Sequence, residues 1–166
     1  MPWGLFGLVL TLVFVLQTAV MPFCAPASLD LLLVMALVCG LTAPSVDARL
    51  AAWIIGFVQD LDSGSPLGLH AALLALAVWA LTLIRDLVNL NLWWGRWLIA
   101  ALVALPARLV LQLHMRWSHG DWPRSVFETV VTAVVAGLAA SIVVGLPAWW
   151  RGRRHRYRRP RRPAWR

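Results

Sequence analysis

An all-α integral membrane fold of about six transmembrane helices is what this sequence predicts, and three observations carry it. Of the 166 residues 61% are hydrophobic and only 13% charged, about half the charged share of an ordinary soluble domain. The apolar residues fall in runs near the roughly 17–25 residues that a spanning helix needs, cut by proline, glycine and small polar residues. The 15 basic residues are all Arg, and those in the stretch 151–166 outweigh the rest. The formal charge of +8 therefore belongs to the tail, and the body before it is nearly neutral. Two units result: a six-helix transmembrane domain over residues 1–150 and an Arg-rich cytoplasmic tail over 151–166.

The first helix is expected from Trp3 to about Val20, with Pro2 at its start and Pro22 stopping it. It lacks a basic leader and a small-residue cleavage site, so it reads as a retained helix rather than a removed signal. Ser28 reads as the N-cap of a second helix that ends near Gly40. That helix is short for a bilayer, so protein or thinned lipid must flank it. Asp30 in its first turn suits the positive end of the helix dipole.

Ser45 caps a third helix, from about Val46 to Leu61, and Ser65-Pro66 reads as the cap and first residue of a fourth, continuing to about Ile84. The two form a hairpin whose tip is Asp60 to Ser65. A polar link follows from Arg85 to Arg96, in which Trp93, Trp94 and Trp97 suit an interfacial aromatic belt. The fifth helix is expected from Trp97 to Leu113 with a kink at Pro106. The sixth opens with the capping box Ser125-Val-Phe-Glu128 and runs to about Trp150. Its small residues Ala133, Gly137, Ser141 and Gly145 recur every fourth position, a stripe that lets another helix approach closely in lipid.

With six spans both termini share a side. Placing the tail in the cytoplasm puts Arg49, Arg85 and Arg96 there too, as the preference of cytoplasmic loops for positive charge requires. The hinge Asp60 to Ser65 then faces outward.

Which residues could carry chemistry? Asp60 and Asp62 are two apart, so a helix would point them away from each other, while a turn could bring them together. No nucleophile and base accompany them, so a catalytic pair ranks last among the readings. His70 is within reach of Asp60, either to relay a proton or to tie the hairpin down by a hydrogen bond; the second is the favoured reading. Gly64 sits where a reversal needs a positive φ, and Gly56 and Gly68 allow close packing across the hairpin.

No metal site is expected: the hinge ligands are sparse, and His114, His119 and Asp121 fit no zinc spacing. Cys24 and Cys39 form neither a disulfide framework nor a metal motif. Arg108 reads as snorkelling to an interface. In the tail, Arg151, Arg153, Arg154, Arg156, Arg158 and Arg159 follow directly on a membrane helix, which favours contact with anionic lipid or an acidic cytoplasmic partner over nucleic acid. No cofactor is expected.

The hinge Gln59-Asp60-Leu-Asp-Ser63-Gly64-Ser-Pro66-Leu67-Gly68-Leu-His70-Ala71 resembles the signature of MreD, the family of small rod-shape-determining membrane proteins of bacteria. Length, six expected spans, the acidic residue and Leu run after Ser28, and the basic end are similar as well. The resemblance implies a non-enzymatic scaffold of the cell-elongation and peptidoglycan-synthesis machinery in the inner membrane. Its implied partners are MreC, the MreB filament, RodA and penicillin-binding protein 2. The implied fold is similar to the substrate-binding subunits of energy-coupling-factor vitamin transporters, so such a subunit is the alternative function. Asp60, Ser63, Gly64, Pro66 and Gly68 carry over as structural or partner-facing residues. Asp62 departs from the family, which more usually has an apolar residue there.

Overall fold

The computed structural model describes residues 2–20, 30–63, 66–87, 93–119 and 126–156, and among these every regular element is helical. The helices are α1 (Trp3–Val15), α2 (Leu31–Thr42), α3 (Ser45–Ser63), α4 (Leu69–Leu87), α5 (Trp93–His119) and α6 (Val126–Arg156). A π-helical stretch, Leu16–Val20, continues α1. Two segments, Trp94–His114 and Phe127–Gly145, are long and apolar enough to cross a membrane; those of α1, α2 and α4 are shorter.

The boundaries depart from expectation in instructive ways. Asp30, not Ser28, caps α2, its carboxylate accepting from the Leu33 backbone N–H at 3.0 Å. Helix α3 reaches Ser63, so Asp60, Asp62 and Ser63 are helical rather than parts of a turn. Helix α4 starts at Leu69 and not at Pro66. Arg85 belongs to α4, and Trp93, Trp94 and Arg96 belong to α5, so helix replaces both ends of the expected polar link. Helix α6 continues through position 150 to Arg156 without a break at the expected domain boundary.

Helix α2 is the centre of the bundle, packed by each of the other five helices. That explains its length. A helix wrapped by protein at both ends and on several faces need not match the thickness of any surrounding medium. Leu32, Leu33, Val34, Ala36, Leu37, Cys39 and Gly40 are all buried.

Beside buried Leu32, Leu33, Leu37, Ile55 and Leu81, many helix contacts are made by small residues, and large ones also face outward. Ala36, Ala48, Ala51, Ala52, Ala100, Ala104, Ala133, Ala136 and Ala140 are fully buried, whereas Leu8, Trp53, Leu61, Trp79, Leu102, Phe127 and Ile142 point outward. Small side chains let backbones approach until van der Waals contact holds them. At Gly56 an added Cβ would stand 2.4 Å from the Ala71 Cα and 2.6 Å from the His70 carbonyl. At Gly137 it would stand 2.9 Å from the Ala101 backbone nitrogen. Of the stripe on α6, Ala133 and Ser141 are buried and Gly137 meets α5, but nothing lies within 4 Å of a Cβ at Gly145. Gly145 is thus not part of this contact.

The C-terminal end of α2 is closed by charge. The Arg85 guanidinium on α4 donates to the carbonyls of Gly40 at 3.0 Å and Ala43 at 2.7 Å, satisfying acceptors that a helix end leaves without intrahelical donors. Nearby, Arg49 on α3 donates to the Thr82 hydroxyl at 3.4 Å.

Candidate functional site

At the other end of α2 two carboxylates gather the polar residues of five helices. Asp60, in the last turns of α3, is almost wholly buried. Its Oδ1 accepts from the His70 backbone N–H at 2.9 Å and lies 2.8 Å from His70 Nδ1. Its Oδ2 accepts from the backbone N–H groups of Gly68 at 2.9 Å and Ala71 at 3.2 Å. These are the donors that open α4. A helix start leaves its first N–H groups without intrahelical acceptors, and here the preceding helix supplies an acceptor; Ser65, the expected cap, lies outside the described residues. An ionised carboxylate only accepts, so the imidazole donates through Nδ1.

Between them Pro66 to Gly68 form a turn, with the Leu69 N–H donating to the Pro66 carbonyl at 3.2 Å. Gly68 has φ +97°, and a Cβ added there would meet nothing within 4 Å. Its role is conformational rather than the close packing expected of it; Gly56 performs that packing. Ser63 and Pro66 are exposed, and Gly64, where the positive φ was expected, lies outside the described residues together with Ser65. Asp62 is exposed, so the two carboxylates of the hinge occupy different environments and do not converge.

The second centre is Asp30, buried at the start of α2. Besides capping Leu33, its Oδ1 accepts from Gln17 Nε2 at 3.3 Å, and its Oδ2 from Gln59 Nε2 at 2.8 Å and from Arg108 Nη2. Gln17 also accepts from the Leu32 N–H at 3.1 Å. The π-helical stretch of α1, a feature that re-aims side chains locally, carries this glutamine. Arg108 is therefore not a snorkelling residue: it pairs inward with Asp30, across 78 positions of sequence.

The two centres border one cavity of about 20 Å³, lined by Asp30, Gln59, His70 and Arg108 with Leu33, Leu73, Leu74, Ala107 and Leu111. A larger groove of about 330 Å³ runs between α4 and α5 beside Pro106, and the side chains lining it are apolar. Among the described residues no three of His, Cys, Asp and Glu come together as ligands for one ion.

Elsewhere, Arg151, Arg153, Arg154 and Arg156 lie on the final turns of α6, while Arg158 and Arg159 are outside the described residues. Gln17, Asp30 and Arg108 are the site residues that sequence reasoning did not bring together. Their signal is shared, since each is a polar interruption of an apolar run. No family model, curated protein or solved structure matches this chain.

Proposed function

We propose that this chain is a six-span inner-membrane scaffold of the bacterial cell-elongation machinery, of the MreD kind, which holds neighbouring membrane proteins rather than transforming a substrate. One observation carries the reading. The buried carboxylate of the signature hinge is occupied by the first N–H groups of α4 and by His70, so the motif maintains a shape and not a reactive group. What it presents outward is the exposed tip, Leu61, Asp62, Ser63, Pro66 and Leu67.

The membrane setting is supported by large apolar side chains facing outward on every helix beyond the central one, an arrangement that exposes far more apolar surface than a soluble monomer tolerates. The short α2 is compatible with six spans because its neighbours shield it. Helix α6, at 31 residues, is about 46 Å long and outreaches a hydrocarbon core of about 30 Å. Its surplus carries Arg151, Arg153, Arg154 and Arg156 to the anionic cytoplasmic leaflet, where each contributes about 1 kcal/mol. Both termini are then cytoplasmic. The partners proposed are an MreC-like membrane protein, the MreB filament, and RodA with penicillin-binding protein 2.

A vitamin-binding transporter subunit needs a pocket of about 300 Å³ or more with placed polar groups. Among the described residues, the cavity beside Asp30 and His70 is of single-water size and the groove between α4 and α5 is lined by apolar side chains, and neither is such a pocket. The test is co-purification of the tagged full chain from native membranes. The named partners should co-elute with the wild type and be lost with Leu67→Glu, whose side chain is exposed and outside the packing. Unchanged capture would remove the hinge tip from the interface. Saturable thermal stabilisation by a vitamin would replace the scaffold with the transporter. Cysteines placed at 63 and 155 that label from the same side would overturn the six-span topology.

A further inference from the structure

The groove between α4 and α5 has a floor and a rim. Ala77 and Val103, both buried, form the floor, and exposed Leu76, Leu102 and Val110 form the rim. We propose that it is a phospholipid site: one acyl chain of an anionic phospholipid of the cytoplasmic leaflet lies in the groove, with the head group at Arg96. Such a site needs the membrane setting and orientation proposed above, and none of the partners.

Dimensions select a chain over a helix. From Leu73 to Ile84 on α4 the groove extends about 16 Å, about half of a hydrocarbon core of about 30 Å. Ile84 stands next to Arg85, near the end of α4, so one leaflet is the span covered. A volume of about 330 Å³ over that length gives a section of about 20 Å². That is about a quarter of the section of a helix about 10 Å across. A membrane-spanning helix would rest on the rim and leave the floor bare.

Charge selects the lipid. Along α5, Arg96 precedes Val103, Pro106 and Val110 by about two, three and four helical turns, so it continues the face that lines the groove. It lies about 9 Å along the axis from Leu102, toward the cytoplasmic end. Beside it nothing lies within 4 Å of a Cβ added at Gly95, so there is open space at this end. Exposed Trp94 suits the head-group level there.

Lipid tails are as apolar as the groove, so burial alone prefers no lipid over another. An empty groove forfeits the van der Waals contacts of its walls, and any acyl chain restores them. A guanidinium adds charge-assisted hydrogen bonds to a phosphate and attracts the net negative charge that a zwitterionic head group lacks. Arg96 also interacts within the chain, and its five N–H donors serve more than one acceptor.

Photo-crosslinking of the full chain in nanodiscs tests this. The probe is phosphatidylglycerol with a diazirine on its acyl chain, diluted in phosphatidylcholine. Label should concentrate at Leu73, Leu76 and Leu102 over Leu8 on α1 and Ile142 on α6, which face outward and report lipid at large. Unlabelled phosphatidylglycerol should displace the groove label first. Label spread evenly over all these faces would overturn the site and leave the membrane setting standing, whereas no label on any face would overturn both. Arg96→Gln should lower the groove's preference for this probe over a phosphatidylcholine probe about fivefold, the ratio that about 1 kcal/mol gives. An unchanged preference would overturn the head-group assignment. Ala80→Phe, on the groove wall, should remove the groove label and keep that at Leu8 and Ile142; groove label that survives would overturn the site. Leu76→Cys that cross-links two chains in one nanodisc, with the groove label lost, would give the groove to a second copy and overturn the lipid. Should a variant fail to fold, the wild-type labelling and its competition decide.

Discussion

The hairpin of α3 and α4 and the pair α5 and α6 solve one problem by different means. Both bring helices into close contact, beside buried large side chains such as Ile55 and Leu81 in the first and Ile99 and Val103 in the second. The first is locked by a carboxylate that caps the next helix, with Gly56 against Ala71 and the His70 carbonyl. The second is held by small residues, Ala100 and Ala104 with Ala133, Ala136 and Gly137, and by Trp97 Nε1 donating to the Val134 carbonyl at 3.3 Å. The difference follows from where the contact lies. A buried helix start has N–H groups that need acceptors, whereas helix flanks have none to satisfy and profit only from closeness.

If that contrast is right, the largest loss comes from the latch. Asp60→Ala leaves three backbone N–H groups and His70 without their acceptor and should cost about 3–5 kcal/mol, read as a fall in the thermal midpoint of the purified chain. A loss no larger than that of a surface substitution would show that the latch is ornamental. Next comes Arg108→Met, which strands Asp30 in the interior and should cost about 3 kcal/mol. Adding Asp30→Asn keeps the cap yet removes the stranded charge, so the double variant should be the more stable of the two.

The packed pair is tested by Gly137→Val, expected to cost about 1–3 kcal/mol by overpacking, beside Gly145→Val, expected within about 0.5 kcal/mol of wild type. Equal effects at the two glycines would contradict the contact through Gly137. Gly68→Ala should cost about 1–2 kcal/mol, because φ +97° is a conformation that side chains resist. Smallest of all is Asp62→Asn, exposed on α3, whose stability should stay within about 0.5 kcal/mol of wild type. A large effect there would mean the exposed carboxylate has a partner role.

Helix number and order were legible in the sequence, since runs such as Leu31–Thr42 and Val126–Gly145 are apolar and bounded by breakers. The pairing of Asp60 with His70 was legible too, because a hairpin brings positions ten apart together. The pairing of Asp30 with Arg108 was not. Its partners are far apart in the chain, and an arginine near a helix end fits an interfacial position equally well until the neighbouring helices are placed. Helix starts were misplaced for a related reason: Ser65-Pro66 and Ser28 are good local caps, but acceptors supplied by Asp60 and Asp30 moved the starts to Leu69 and Leu31.

By itself the sequence determined an all-helical, strongly apolar chain with its charge gathered at one end, because composition and the spacing of breakers act locally. Tertiary structure alone decided which polar groups meet. Within so apolar a chain each of Gln17, Asp30, Gln59, Asp60, His70 and Arg108 must find a partner, and the helix that provides it is fixed only when the bundle closes around α2.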